Sequence, residues 1–204
     1  MITLLSYGLG NVLAFVNIYR RLNIAVQVAR TVDELANAER IILPGVGAFD
    51  SAMSRLQASG LRACLDELVI EKRRPVLGIC VGMQMMAKRS DEGDLPGLGW
   101  IDAEVKRFDE GRFTQRTHLP HMGWNDVASC VSNGLFQGMA SPRFYFLHSY
   151  YMKPVSDDAT LAVTDYHGLF TSAVRVGNVF GTQFHPEKSH QWGIQLLRNF
   201  AELT

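Results

Sequence analysis

Residues 75–86 have the sequence PVLGICVGMQMM, in which a cysteine stands where a strand gives way to a helix. The apolar run 76–79 predicts a buried strand, and the methionine-rich run after it predicts a helix. Cys80 lies between them, flanked by Gly78 and Gly82. The pattern G-x-C-x-G has the form of a nucleophile elbow in which cysteine replaces the usual serine. A buried structural cysteine is the alternative that this segment alone leaves open.

The glycines and the helix suggest a chemical role for Cys80. Glycine permits a tight turn and allows neighbouring backbone to pass close by. The partial positive charge at a helix N-terminus favours the thiolate form of a cysteine placed there. We therefore predict that Cys80 is a nucleophile at the carboxyl end of a strand.

The first half of the chain alternates strand and helix signals. The predicted elements are a strand at 2–6, a helix at 12–22, a strand at 24–29, a short helix from residue 32, a strand at 40–43, a helix at 50–72, and the strand and helix of residues 75–86. Thr31 and Glu34 form the capping box that starts the short helix. Repeated strand–helix units predict an α/β fold with a doubly wound, mostly parallel sheet flanked by helices. Sites in such sheets lie at the carboxyl ends of the strands.

The second half of the chain is richer in strand signals. Strands are predicted at 100–108 and 111–117, as a hairpin around 109–111, and at 143–148, 161–166, 170–176 and 179–184, before a closing helix at 192–203. No linker, repeat or low-complexity segment separates the two halves. We therefore expect residues 1–204 to form a single domain with a β-rich C-terminal half.

Composition excludes several classes of function. Lysine plus arginine equals aspartate plus glutamate, at 20 each, so the chain lacks the basic excess of a protein that binds nucleic acid or an anionic membrane. No apolar run approaches the roughly 18 residues of a membrane-spanning helix, and the N-terminus lacks the features of a signal peptide. Three widely spaced cysteines fit a reducing compartment. We expect a cytoplasmic protein without a cofactor or a bound metal.

A cysteine nucleophile needs a base, and His185 is the best candidate among the six histidines. It follows the predicted strand 179–184 and precedes Pro186 and Glu187. Residues two apart in an extended chain point the same way, so Glu187 can accept a hydrogen bond from the imidazole. The alternative is a surface His-Pro-Glu turn without a catalytic role.

The glycine-rich turn at 44–47, with the sequence PGVG, ends another predicted strand. Backbone N–H groups of Val46 and Val81 are candidates to stabilise an oxyanion beside Cys80. An ordinary strand-to-helix turn is the alternative. The chain has no glycine-rich nucleotide-binding signature after its first strand.

Three segments together resemble the class I (triad) glutamine amidotransferase family. They are PGVG at 44–47, GICVGMQ at 78–84 and QFHPE at 183–187. The resemblance implies that the protein hydrolyses L-glutamine, with Cys80 as nucleophile, His185 as general base and acid, and Glu187 as the carboxylate that orients the histidine.

The same resemblance implies residues that bind glutamine. Glu92 matches the partner of the α-amino group, although a solvated charge is the alternative for this residue. Gln84, Ser149 and Tyr150 match the donors to the α-carboxylate.

Further segments resemble one branch of this family, namely glutaminase subunits that supply ammonia to a separate cyclase with a (β/α)8 barrel. These segments are 7–11, 44–49, 120–125, 148–151 and 185–189. The resemblance implies a heterodimer that makes imidazole glycerol phosphate and an aminoimidazole carboxamide ribotide in histidine biosynthesis. The residues that match partner-facing positions are Asn11, His121, Trp124, Tyr145 and Lys188. Each aromatic residue among them can instead belong to internal packing.

Three other functions remain open from the sequence. The chain can be a glutaminase subunit of another amidotransferase synthase, a catalytically silent binding subunit, or a cysteine peptidase. The complete set of Cys80, His185 and Glu187 disfavours a silent subunit, and the lack of an extended peptide-binding feature disfavours a peptidase.

Overall fold

The computed structural model describes residues 1–113, 119–130 and 134–203. Its strands, in chain order, are β1 (Ile2–Leu5), β2 (Val26–Ala29), β3 (Arg40–Gly45), β4 (Val76–Cys80), β5 (Arg89–Ser90), β6 (Ala103–Arg107), β7 (His121–Asp126), β8 (Ala128–Ser129), β9 (Arg143–His148), β10 (Tyr150–Pro154), β11 (Thr160–Asp165), β12 (Leu169–Val176) and β13 (Val179–Thr182). Its α-helices are α1 (Val12–Arg21), α2 (Val32–Leu35), α3 (Phe49–Ala58), α4 (Arg62–Asp66), α5 (Val81–Gln84) and α6 (His190–Glu202).

Eight strands form a central sheet in the order β2-β1-β3-β4-β13-β12-β11-β8. The first five of these are mutually parallel, and the last three add antiparallel to their neighbours. The chain reverses its direction across the sheet after β2, so right-handed crossovers place α1 and α2 on opposite faces. This architecture confirms the predicted α/β fold with a mostly parallel sheet and a β-rich second half.

The core follows from the composition of the central strands. Strands β1, β4 and β13 are buried along their whole lengths, as expected for apolar strands that helices cover on both faces. Helix α1 packs against α6, where the hydroxyl of Tyr19 donates a 3.1 Å hydrogen bond to the carbonyl of Leu197. Among the described residues, no helix is long and apolar enough to cross a membrane.

The register of β3, β4 and β13 brings three chain segments together at one edge of the sheet. Gly45 pairs with Cys80 across β3 and β4, and Thr182 pairs with Ile79 across β13 and β4. Because these strands are parallel, their carboxyl ends lie side by side. Cys80 therefore sits between the glycine-rich turn that follows β3 and the segment that follows β13.

Two small sheets lie outside the central one. Strands β7 and β9 pair antiparallel, and β10, β6 and β5 form a three-stranded sheet. Ser149 alone separates β9 from β10, so it joins the two small sheets.

Two predictions about secondary structure are wrong. The single helix predicted at 50–72 is broken: α3 ends before Gly60, which has a φ of +72°, and α4 runs into a π-helical turn at Glu67–Glu71. The hairpin around 109–111 is absent in the described residues, because β6 pairs with β10 and β5 instead. Residues 114–117 of its second predicted strand lie outside the described residues.

Candidate active site

Cys80 occupies a strained elbow between β4 and α5. Its φ of +54° and ψ of −113° lie in a region that residues with a side chain rarely adopt. Glycines in the elbow and on β3 make the turn possible: a Cβ on Gly82 would collide with the carbonyl oxygen of Leu43, and a Cβ on Gly45 of β3 would collide with the nitrogen of Gly82. The close backbone approach expected from the sequence is therefore present.

His185 and Glu187 form a buried pair next to Cys80. Nδ1 of His185 lies 2.8 Å from Oε1 of Glu187, and both side chains are only 3% exposed. The backbone of His185 is also fixed, because its N–H donates to the carbonyl of Tyr145 and its carbonyl accepts from the hydroxyl of Ser189. This burial excludes the alternative of a surface turn.

The electrostatics of this group favour a charged histidine. Burial opposes the charge on His185, but hydrogen bonds to Cys80 and Glu187, together with the charges of these groups, raise the pKa of His185 to about 10. An imidazolium beside a cysteine favours the thiolate, which is the nucleophilic form. Helix α5 has only four residues, so the helix dipole expected from the sequence contributes less here than His185 does.

One cavity of about 340 Å³ contains the sulfur and most of the predicted site residues. Its volume lies within the range of roughly 300–1,000 Å³ that is typical of small-molecule sites. The predicted residues that line it are Val46, Cys80, Val81, Gln84, Glu92, Ser149, Tyr150, His185 and Lys188. Glu187 lies behind His185 and does not line the cavity.

Glu92 is held in place rather than loosely solvated. Its Oε2 accepts a 2.9 Å hydrogen bond from the backbone N–H of Phe49, at the start of α3. Asp50 fastens the same loop by accepting hydrogen bonds from the N–H groups of Asp94 and Leu95. Oε1 of Glu92 has no hydrogen-bond donor within the described residues, so it is available to an ammonium group.

The predicted role of Gln84 needs correction. Its Nε2 donates 3.0 Å hydrogen bonds to the carbonyl of Tyr150 and to Oε1 of Gln183, so both hydrogens of the amide are used within the protein. Gln84 therefore has no free donor for a substrate carboxylate in this structure. It lines the cavity and orders the residues around it.

Gln183 is a site residue that the sequence argument did not single out. Its Nε2 lies 3.7 Å from the sulfur of Cys80, and the residue is fully buried. The alternation of an extended chain places Gln183 and His185 on the same side. This alternation is the sequence pattern from which a role for Gln183 beside His185 can be predicted.

The predicted partner-facing residues separate into two groups. The expectation is wrong for the side chain of His121, which is buried between the rings of Phe146 and Tyr166. Trp124 is 41% exposed, and Nζ of Lys188 lies 5.7 Å from the ring centre of Tyr145.

Other residues complete the exposed face of β7 and β9. Met122 and Leu147 pair across the two strands and are both exposed, and neither was among the residues predicted from the sequence.

Asn11, the remaining residue predicted to face a partner, is exposed and caps α1, since its Oδ1 accepts a hydrogen bond from the N–H of Ala14.

Residues 4–203 match the family model for glutamine amidotransferase class-I, and the chain belongs to this family. A protein of Bdellovibrio bacteriovorus named imidazole glycerol phosphate synthase subunit HisH is 55% identical over 204 residues and matches along the whole of both chains. A protein of Leptospira interrogans with the same name is 50% identical over 204 residues, again along the whole of both chains. These relatives place the chain among the glutaminase subunits called HisH, as the sequence resemblance implied.

Solved structures agree on the fold. A crystal structure of a glutamine amidotransferase superposes with a TM-score of 0.76, covering 98% of this chain and 97% of the other. The identity between the two is 22%, so this similarity supports the fold alone.

Proposed function

We propose that the protein hydrolyses the side-chain amide of L-glutamine through Cys80, His185 and Glu187 and passes the ammonia to a cyclase partner. The observation that carries the chemistry is the buried pair of His185 and Glu187 beside a cysteine at a strained elbow. A nucleophile, a base and a carboxylate that orients the base are the parts that acyl transfer requires.

In the first half of the reaction, the Cys80 thiolate attacks the amide carbon of glutamine and a C–S bond forms. Backbone N–H groups of Val46 and Val81 stabilise the oxyanion of the tetrahedral intermediate. His185 then gives its proton to the leaving nitrogen as the C–N bond breaks. Ammonia departs, and a γ-glutamyl thioester remains on Cys80.

In the second half, His185 is neutral and acts as a base. It takes a proton from a water molecule while the water oxygen bonds to the thioester carbon. The C–S bond breaks, glutamate leaves, and the thiolate and the imidazolium are restored. Glu187 accepts the hydrogen bond from Nδ1 in both halves and holds the imidazole in the orientation that serves both steps.

The cavity suggests how glutamine is held. Oε1 of Glu92 receives the α-amino group, because its other oxygen is already anchored to α3. The α-carboxylate lies toward Ser149 and Tyr150 at the junction of β9 and β10. Gln84 acts indirectly, by fixing the carbonyl of Tyr150.

The partner is a cyclase subunit with a (β/α)8 barrel, and the pair makes imidazole glycerol phosphate and an aminoimidazole carboxamide ribotide. Support for this assignment comes from the HisH relatives, whose names describe them as subunits of imidazole glycerol phosphate synthase. The surface formed by Met122, Trp124, Tyr145 and Leu147 lies next to the cavity and is the face on which we place the cyclase.

The experiment mixes the chain with candidate synthase subunits and measures ammonia release and product formation. We expect the cyclase of imidazole glycerol phosphate synthase to stimulate glutamine hydrolysis, and the isolated chain to turn over slowly. Cys80→Ala should abolish synthesis that depends on glutamine and preserve synthesis from added ammonia. Stimulation by a different synthase subunit instead would assign the chain to another amidotransferase.

A further inference from the structure

We propose that the side-chain amide of Gln183 is a catalytic group that donates a hydrogen bond to the sulfur of Cys80. We infer further that a connected set of hydrogen bonds behind Gln183 fixes which end of its amide faces the sulfur. The inference rests on the proposed role of Cys80 as the nucleophile.

The position of Gln183 holds its side-chain amide against the sulfur of Cys80. The residue follows β13, which is the neighbour of β4 in the sheet, and its side chain is fully buried. Its Nε2 lies 3.7 Å from Sγ of Cys80. The same sulfur lies 3.9 Å from the carbonyl oxygen of Leu147, which can accept from a thiol but repels a thiolate. A donor from Gln183 opposes that repulsion.

The orientation of the Gln183 amide follows from its neighbours. The two ends of an amide have nearly the same shape, so hydrogen-bond partners must distinguish them. The carbonyl of Tyr150 only accepts, so the atom of Gln84 that faces it is Nε2, at 3.0 Å. The second hydrogen on that Nε2 points to Gln183, at 3.0 Å, which must present Oε1. Nε2 of Gln183 therefore faces Cys80.

The carbonyl of Tyr150 also accepts from His148, and a second histidine, His121, holds His148 in turn. Nδ1 of His148 lies 2.7 Å from this carbonyl and must donate to it. Nε2 of His148 then accepts from Nδ1 of His121, at 3.1 Å. Both rings must be neutral for this arrangement. Burial lowers the pKa of His121 to about 4, and burial together with the charges of His121 and His185 lowers the pKa of His148 to about 3.

The far end of the set is fixed by backbone groups. Nδ2 of Asn125 lies 3.3 Å from Nε2 of His121 and donates to it. Asn125 cannot be turned over, because its Nδ2 also donates to the carbonyl of Asp165 and its Oδ1 accepts from the N–H of Asp126. The donor and the acceptor of every link from Asn125 to Gln183 are therefore assigned, and the donors from the two sides meet at the carbonyl of Tyr150.

A donor at this place has a use in both halves of the reaction. A hydrogen bond to a charged acceptor is stronger than one to a neutral acceptor, so the amide favours the thiolate over the thiol. The thiolate is the form of Cys80 that attacks glutamine and also the form that leaves when the thioester is hydrolysed. The amide of Gln183 therefore assists both steps. It also restricts the rotation of the sulfur about the Cα–Cβ bond.

The test is the rate at which iodoacetamide alkylates Cys80 in the full-length chain at neutral pH, followed by peptide mass spectrometry. Gln183→Leu should slow the alkylation of Cys80 roughly tenfold, the size expected for the loss of one hydrogen bond to a charged group. The exposed Cys130 in the same sample should react at its wild-type rate. With the cyclase partner present, kcat for glutamine should fall by a similar factor while KM changes little.

Gln27→Leu is the matched control, because Gln27 also donates through its Nε2, to Thr3 and to the carbonyl of Glu34, but lies on β2, away from the sulfur. It should leave the alkylation of Cys80 unchanged. Gln183→Glu is the second variant: it keeps the size and the bond from Gln84 but places a carboxylate against the sulfur, so it should slow alkylation at least as much. If Gln183→Leu does not fold, the rate at which Cys80 is alkylated in Gln183→Glu tests the inference.

A folded variant at Gln183 that is alkylated at the wild-type rate would overturn this inference. The outcome is separable from that of the proposed function. Glutamine hydrolysis at the wild-type rate together with unchanged alkylation would refute the role of Gln183 alone. Slower alkylation in a chain that hydrolyses no glutamine with any partner would instead refute the glutaminase.

Discussion

Nδ1 of His185 and Oε1 of Glu187 lie 2.8 Å apart, and both side chains are almost completely buried. Oε2 of Glu187 is also buried and has no hydrogen-bond donor among the described residues. The carboxylate therefore directs its charge mainly at the imidazole. This pairing keeps His185 protonated beside Cys80 and sets its ring orientation.

The first prediction concerns this pair. Glu187→Gln keeps the shape of the side chain but removes its charge, so the pKa of His185 should fall and its ring should lose its fixed orientation. We expect kcat for glutamine, measured with the partner, to drop by about 10²- to 10⁴-fold. Glu202→Gln at the exposed end of α6 should change nothing. A kcat within threefold of wild type for Glu187→Gln would remove Glu187 from the mechanism.

The second prediction concerns the acid stability of the histidine pair. Burial holds the pKa of His121 in the folded protein at about 4, below its ordinary value of 6.5. The unfolded chain therefore binds more protons between these values, and the free energy of unfolding should decrease as the pH falls from 6.5 to 4. His121→Phe keeps the stack between Phe146 and Tyr166 and should reduce this dependence.

Urea unfolding at several pH values measures the acid dependence. Carboxylates elsewhere contribute equally to the wild type and the variant. The difference between the two slopes of unfolding free energy against pH therefore gives the contribution of His121. Identical slopes in the two proteins would show that His121 does not titrate in this window.

The third prediction concerns the glycines at the elbow. A methyl group on Gly82 would collide with backbone atoms of Leu43, which cannot move without distorting β3. Gly82→Ala should therefore cost more than about 3 kcal/mol of unfolding free energy or prevent folding. Gly60→Ala is the control: its φ is +72° but its Cβ would meet open space, so the cost should be about 1 kcal/mol. Equal costs in thermal or urea unfolding would contradict the packing at the elbow.

The fourth prediction concerns the partner surface. Met122 is 63% exposed on the outer face of β7, so Met122→Asp should leave the isolated chain as stable as wild type. If the cyclase covers this face, burying the new charge should weaken the complex by about thirtyfold or more, as for a hot-spot residue. Val155→Asp changes a residue that is 75% exposed elsewhere and should not affect binding. Titration calorimetry measures both, and equal dissociation constants for the two variants would move the interface to another face.

Local sequence patterns predicted the elbow because its strand, its cysteine and its two glycines all lie within residues 76–82. The collision that excludes a side chain at Gly82 is with Leu43 on the neighbouring strand β3, and local patterns do not show it. The hairpin around 109–111 failed for the opposite reason. The partner of β6 is β10, which lies more than 40 residues further along the chain, and local propensity carries no information about such a pairing.

The error at His121 has a different origin. Residues 121–126 form a strand, in which alternate side chains point to opposite faces. His121 and Trp124 are three residues apart and cannot both face a partner, as the observed burial shows. A prediction of strand β7 from the sequence would have separated them. The interior links from Asn125 to Gln183 could not be predicted, because they join groups on β7, β9, β10, α5 and the segment after β13, which are far apart in the chain.

The central claim is that Cys80 forms a covalent bond with the γ-carbonyl of glutamine. The direct measurement is peptide mass spectrometry after an acid quench of the chain turning over glutamine with its cyclase partner. The account predicts a γ-glutamyl adduct on the peptide that contains Cys80, in smaller amount when His185→Asn removes the group that protonates the departing ammonia. An adduct on Cys64 or Cys130 instead, or sustained glutamine hydrolysis by Cys80→Ala, would contradict it.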